Sequence, residues 1–92
     1  MKAVWKSKTL AESNQPHLFE GYQYFPPGAV KFNNLQPSDH KTICPVKGEA
    51  TYFNIVVGPD VNPNAAWSYA NPTPAAAKIK DHVAFARSVQ VG

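Results

Sequence analysis

The sequence predicts a single, mainly β domain of short antiparallel strands, and three observations carry that prediction. Nine prolines and five glycines divide the 92 residues into pieces of roughly 4–8 residues, the spacing of strands joined by turns rather than of packed helices. The richest piece, Ala50-Thr51-Tyr52-Phe53-Asn54-Ile55-Val56-Val57, is a run of β-branched and aromatic residues closed by Gly58-Pro59-Asp60. Heptads and internal repeats are missing, which sets aside coiled coils and solenoids. With nothing marking a division, the expectation is one domain over residues 1–92.

Taken in order, Ala3–Lys6 and Thr9–Glu12 form a hairpin turning around Ser7. His17–Glu20 and Tyr22–Phe25 form a second, with Gly21 supplying the positive φ of a tight turn. Side chains alternate along a strand, so Tyr22 and Tyr24 share one face while Gln23 and Phe25 share the other. Pro26-Pro27 ends that strand, and Pro27 is suited to the first position of a short helix reaching Phe32. Gln36–Asp39 reads as a loop, Lys41–Cys44 as a brief strand, and Ala50–Val57 as a central strand because both its faces are apolar. Asn62-Pro63-Asn64 reads as a turn ahead of Ala66–Tyr69. Thr73-Pro74 has the form of an N-cap followed by proline, so Ala75–Ile79 is expected to make a helix of two turns. His82–Arg87 then returns to strand, with Val83 and Phe85 on one face.

Composition narrows the function. Aromatic residues make up 12% of the chain and charged residues 16%, the latter below the ~25% of an average globular chain. This is the make-up of a small domain that relies on large rings for its core. No apolar run approaches the ~20 residues of a membrane helix, and the basic start Met1–Lys6 lacks the apolar segment of a signal peptide. A cytoplasmic protein without membrane association is therefore expected. Cys44 is the single cysteine, so neither an internal disulfide nor a cysteine-based structural zinc is expected, and no cofactor is implied. The net charge of +3 comes from scattered lysines and one arginine. That pattern reads as a solvated surface, and no nucleic-acid partner is expected.

Several residues have the chemistry to act. Cys44-Pro45-Val46-Lys47-Gly48 places a thiol near a cation that lowers thiol pKa values, with His40 or His82 within reach as a base if the fold brings them close. A buried, inert cysteine is the more ordinary outcome for such a residue. His17, His40 and His82 have no metal-binding spacing, and only the fold decides whether they meet. Phosphate-binding glycine loops are absent, and the six acidic residues are isolated from one another, unlike paired catalytic carboxylates. Tyr22, Tyr24, Tyr52, Trp67 and Tyr69 either fill the core or wall a cleft for a flat ligand.

Four segments in order, Tyr24-Phe25-Pro26, Cys44 to Tyr52, Asn62 to Tyr69 and His82-Val83-Ala84-Phe85, resemble family 427 of the domains of unknown function, a group that sometimes carries a nucleotidyltransferase label. The resemblance spans Lys2 to about Val91. It implies a β-tent (Mss4-like) architecture of antiparallel sheets with one or two short helices, the fold of methionine sulfoxide reductase B. Many proteins of that fold hold zinc through paired Cys-x-x-Cys motifs, which this chain lacks. The family phrase around Cys44 usually has tryptophan where Val46 stands, so one wall of any shared pocket is less aromatic here. Carried over by position, the motif points to Tyr24, Cys44, Lys47, Gly48, Tyr52, Trp67 and His82.

The preferred expectation is a binding module in which Tyr24, Tyr52 and Trp67 line a cleft and Lys47 and His82 attract a small anionic or nucleotide-like molecule. A rival is an enzyme, performing nucleotidyl transfer or thiol chemistry with Cys44, Lys47 and His82. A third reading is a protein-interaction domain using a sheet edge. Whether the protein is an enzyme, and its oligomeric state, are open at the level of sequence.

Overall fold

The computed structural model describes residues 1–92 and is built almost wholly of antiparallel strands. In chain order these are β1 (Lys2–Trp5), β2 (Lys8–Glu12), β3 (His17–Phe19), β4 (Tyr22–Tyr24), β5 (Leu35–Cys44), β6 (Gly48–Val57), β7 (Asp60–Ser68), β8 (Val83–Phe85) and β9 (Gln90–Val91). They pair as β2-β1-β9, β3-β4 and β5-β6-β7-β8. Reciprocal backbone hydrogen bonds between Phe25 and Val83, at 2.8 and 2.9 Å, attach the β3–β4 hairpin to the β8 edge and extend the larger sheet.

Both expected hairpins form. Lys6 and Ser7 at φ 51° and 62°, and Glu20 and Gly21 at φ 49° and 88°, give two-residue turns whose twist matches that of the flanking strands. The run Ala50–Val57 lies inside β6, between β5 and β7, as its two apolar faces require.

Four local expectations are corrected. Residues Gln36–Asp39 belong to β5 rather than to a loop: Pro37 pairs with Phe53, and the register skips between Pro37 and Lys41. An edge strand tolerates this because proline lacks only the N–H that would face outward, and a bulge absorbs the extra residues. Asn62-Pro63-Asn64 likewise lies within β7. Asn64, at φ 54°, donates its backbone N–H to Asn54 Oδ1 at 2.9 Å, so these turn-forming residues make an irregularity in a ladder instead of a reversal. The segment from Pro27 splits into two 3₁₀ turns, Pro27–Ala29 and Phe32–Asn34, because Val30 is extended and bridges to Ala11. Pro74–Ile79 is also 3₁₀, interrupted at Ala76 with φ −114°. Thr73 does not cap it; the hydroxyl donates instead to the Val46 carbonyl across the molecule.

The alternation of strand side chains generates two cores rather than one shared interior. The larger holds Ala3, Leu10, Phe25, Leu35, Ile55, Ala66, Val83 and Phe85, enclosed between the β2-β1-β9 layer and one face of the larger sheet. On the opposite face, Tyr24, Ala50, Tyr69 and Ala84 are buried with Ala76 and Ile79 of the 3₁₀ segment. Tyr24 and Phe25, adjacent in sequence, each fully buried and in different cores, show the alternation directly.

Candidate functional site

The register of the larger sheet sets Tyr52 beside Trp67 and Trp67 beside Ala84. On that face the small Ala84 leaves room next to the indole, and Tyr22 of β4 fills part of it, meeting the Trp67 ring edge to face with centroids 4.9 Å apart. Tyr52 lies 5.9 Å from Trp67 on the other side, and His40 packs on Tyr52 at 4.6 Å. Beyond Tyr22, the Arg87 guanidinium lies 4.9 Å from the ring centroid. His40, Tyr52, Trp67, Tyr22 and Arg87 thus form an unbroken row across the sheet. The three central members are half-buried and the two ends exposed.

Hydrogen bonds hold two members of this row. The Trp67 indole N–H donates to the Tyr24 hydroxyl at 3.3 Å, and Tyr52 shares a hydrogen bond of 3.1 Å with the Thr42 hydroxyl. Tyr69 lies deeper, 4% exposed. Burial, more than the neighbouring Tyr24, Cys44 and Tyr52 groups, pushes its phenol well above the ordinary value of 10.0, because a phenolate would lose its hydration there. Tyr69 is thereby kept a neutral phenol.

Lys47 sits at the β5–β6 turn with its Nζ 5.8 Å from the Tyr69 ring centroid and 3.6 Å from Glu20 Oε1, its side chain only 13% exposed. The ion pair joins this turn to that of the β3–β4 hairpin. The turn is anchored from behind as well, where the Thr73 N–H donates to the Lys47 carbonyl at 3.1 Å. Gly48 is required at this point: φ is +105°, and a Cβ would lie 3.1 Å from the Asn71 carbonyl oxygen.

The structure therefore brings Tyr24, Tyr52 and Trp67 together, and sets Lys47 and Cys44 about the Tyr69 that lies under them. His82 has other company. Its ring centroid is 5.2 Å from that of His17, and its Nδ1 is 2.8 Å from the Lys80 carbonyl oxygen. His40 lies against Tyr52, so two of the three histidines meet, and no group of three or more His, Cys, Asp or Glu is placed to hold a metal ion. The sequence reading missed Glu20 as the partner of Lys47 and Arg87 as the end of the row. Alternation in β4 already put Tyr22 with Tyr24, but nothing local places Arg87, whose position depends on how the chain leaves β8.

Two open clefts mark the surface, and only the second lies beside this face. One, about 450 Å³, lies between β2 and the Pro27–Lys31 region and is lined by polar groups of both signs, including Glu12 and Lys31. The other, about 340 Å³, runs beside Tyr22 and Arg87 over Phe85 and Val89.

Residues 1–91 match the family model described as Domain of unknown function (DUF427). The chain belongs to the DUF427 family. The nucleotidyltransferase term attached to the family is a name and brings no reaction with it. No curated protein matches this DUF427 domain, and no helix in it is long and apolar enough to cross a membrane.

Proposed function

We propose that this DUF427 domain is a binding module that holds a planar, negatively charged small molecule against the aromatic row, with Trp67 at the centre of the contact. The observation that carries the reading is the state of Trp67: half-buried, flanked by Tyr22 and Tyr52 and held by the Tyr24 hydroxyl. A ring already fixed in place loses little freedom when a ligand stacks on it, and stacking of a base on such a ring contributes about 1–3 kcal/mol. The anionic part of the ligand would take the place of the Glu20 carboxylate at Lys47, exchanging one charge partner for another. Lys47 engaged by Glu20 and His82 engaged by His17 and Lys80 favour binding over transfer chemistry with Cys44. A β-tent reading of the fold is supported by two antiparallel layers closing on one apolar core, and a reducing, cytoplasmic setting by the free thiol of Cys44.

The test uses a Trp5→Phe protein, in which Trp67 is the remaining indole. Adenosine 5′-monophosphate is expected to change its fluorescence saturably, adenosine to do so more weakly, and Trp67→Ala, checked to be folded, to lose binding. Ligand at 100 times its Kd adds about 2.7 kcal/mol to stability, so a thermal shift must accompany the quench. No spectral change and no thermal shift with adenosine 5′-monophosphate or with simpler aromatic acids would overturn the reading.

A further inference from the structure

The histidines have no metal-binding spacing in the sequence, yet the fold brings two of them together from distant parts of the chain. His17 lies on β3 opposite Tyr24, and His82 directly precedes Val83, which bridges to Phe25. β4 therefore runs between them, and the two imidazoles meet with centroids 5.2 Å apart and planes inclined at 53°. The backbone under the pair is fixed by the sheet. Phe25 and Val83 exchange hydrogen bonds at 2.8 and 2.9 Å, and the His82 N–H donates to the Ile79 carbonyl at 3.0 Å.

The His82 ring is oriented as well. Its Nδ1 lies 2.8 Å from the Lys80 carbonyl oxygen. A carbonyl only accepts, so Nδ1 carries the proton, and in the neutral ring the lone pair falls on Nε2. Histidines that ligate metals are held in this way: the nitrogen turned away from the ion donates to a carbonyl or carboxylate, which fixes both tautomer and ring direction. His17 is exposed and His82 half-exposed, so the pair is open to an ion arriving from solvent.

The spacing fits a shared ion. Two imidazole nitrogens about 2.0–2.1 Å from one metal, at a near-tetrahedral angle, leave their ring centroids roughly 5 Å apart. The observed 5.2 Å already has that value, so binding requires ring rotation and no movement of strands. Two protein ligands leave the other positions to water, which makes the site exchangeable rather than structural. Imidazole suits zinc, nickel and copper, whereas magnesium and calcium take oxygen ligands.

We infer that His17 and His82 form a binding site for a divalent, imidazole-preferring cation such as zinc, with water completing the coordination. The ion ties β3 to the chain entering β8 and so fastens the β3–β4 hairpin, which carries Tyr22 and ends at the Glu20 turn, a second time. The inference does not depend on the role proposed for Trp67.

The experiment is an NMR titration of the whole chain with zinc chloride near neutral pH, following the histidine ring nitrogens, with magnesium chloride in parallel. Zinc is expected to shift the His17 and His82 rings saturably, the His82 change falling on Nε2 while Nδ1 keeps its proton. Magnesium is expected to shift neither. His17→Gln and His82→Gln, each verified as folded from its spectrum, should weaken zinc at least about 10-fold, because the remaining imidazole then binds without a chelating partner. His17→Gln leaves the Lys80 contact in place, so its result stands even if His82→Gln disturbs that turn. His40→Gln and Trp67→Phe should leave the affinity unchanged, which separates a failure here from a failure at the aromatic row. Zinc shifts confined to His40 or Cys44, an equal response to magnesium, or a zinc affinity indifferent to His17→Gln would each overturn the inference.

Discussion

On one face of the strands β6–β8, none of Ile55, Ala66, Val83 and Phe85 is more than 3% exposed, and Phe53 and Val57 are partly buried beside them; on the other are Tyr52, Trp67 and Ala84, with Tyr69 just beyond β7, of which Tyr52 and Trp67 remain half-open. The same strands supply both sets, one residue out of phase. The first face has a second sheet to close against and fills it with groups that carry no polar atoms. The second is covered only in part, by the 3₁₀ segment at Ala76 and Ile79, and its rings keep hydroxyls and an indole N–H that bond to one another. A face built this way contributes less to stability, and it leaves oriented rings available to a ligand.

Substitutions on the two faces should therefore separate stability from binding. The largest effect is expected at Phe25, fully buried and 5.9 Å in centroid distance from Phe85. Phe25→Ala should lose about 3–5 kcal/mol in urea unfolding, the range for deleting a core ring. A loss below about 1 kcal/mol would mean the apolar core does not hold the fold. Gly48→Ala comes next. The left-handed φ alone costs about 1–3 kcal/mol for a residue with a side chain, and the added Cβ must also displace the backbone at Asn71. That loss should exceed the effect of Gly58→Ala, where φ is again positive but nothing lies within 4 Å; equal losses would show that the close approach at Asn71 is immaterial.

How much of this was legible in sequence follows the same division. Pattern alone placed β6 in the middle of a sheet and put Tyr22 and Tyr24 on one face, because alternation is a local property and holds wherever a strand forms. Pattern failed at Pro37 and Pro63. Both sit in strands at bulges, and a proline reads as a break unless one knows that its missing N–H is not needed there. The helix expected at Ala75–Ile79 failed for a related reason: Thr73 has the right identity for a cap, but its hydroxyl is taken by Val46, a partner 27 residues away. At the site, Tyr24, Tyr52 and Trp67 were legible as ring-bearing strand residues. The pairing of Lys47 with Glu20 was not, since it joins two turns whose proximity exists only once the hairpin has docked on β8.

A smaller effect tests the interior of the aromatic face. Below pH 10, Tyr69 is protonated in both the folded and the unfolded chain and contributes no pH dependence. Above the ordinary value of 10.0 the unfolded chain releases the proton while the folded one, with its phenol pKa raised by burial, retains it. Stability then falls as pH rises, by at most about 1.4 kcal/mol per pH unit from this one group. Urea midpoints at pH 8 to 11 should show a steeper decline for the wild type than for Tyr69→Phe. Parallel declines would place the phenol in contact with water, and the second core would then not be closed.

The smallest change in stability is expected at the ion pair that spans the two turns. Lys47 is 13% exposed, but Glu20 is 48% exposed, so water screens the pair from one side and the net contribution is within about 1 kcal/mol. Glu20→Gln should accordingly leave the unfolding midpoint almost unchanged. Its effect on binding is another matter, because it leaves a largely enclosed ammonium over Tyr69 without its carboxylate. If the face receives an anion at Lys47, removal of the competing charge should tighten adenosine 5′-monophosphate in the Trp67 fluorescence titration while leaving adenosine unaffected. Tightening of both ligands alike would assign the gain to a loosened turn, and no change in either would mean that Lys47 serves only to fasten the β3–β4 hairpin to the sheet.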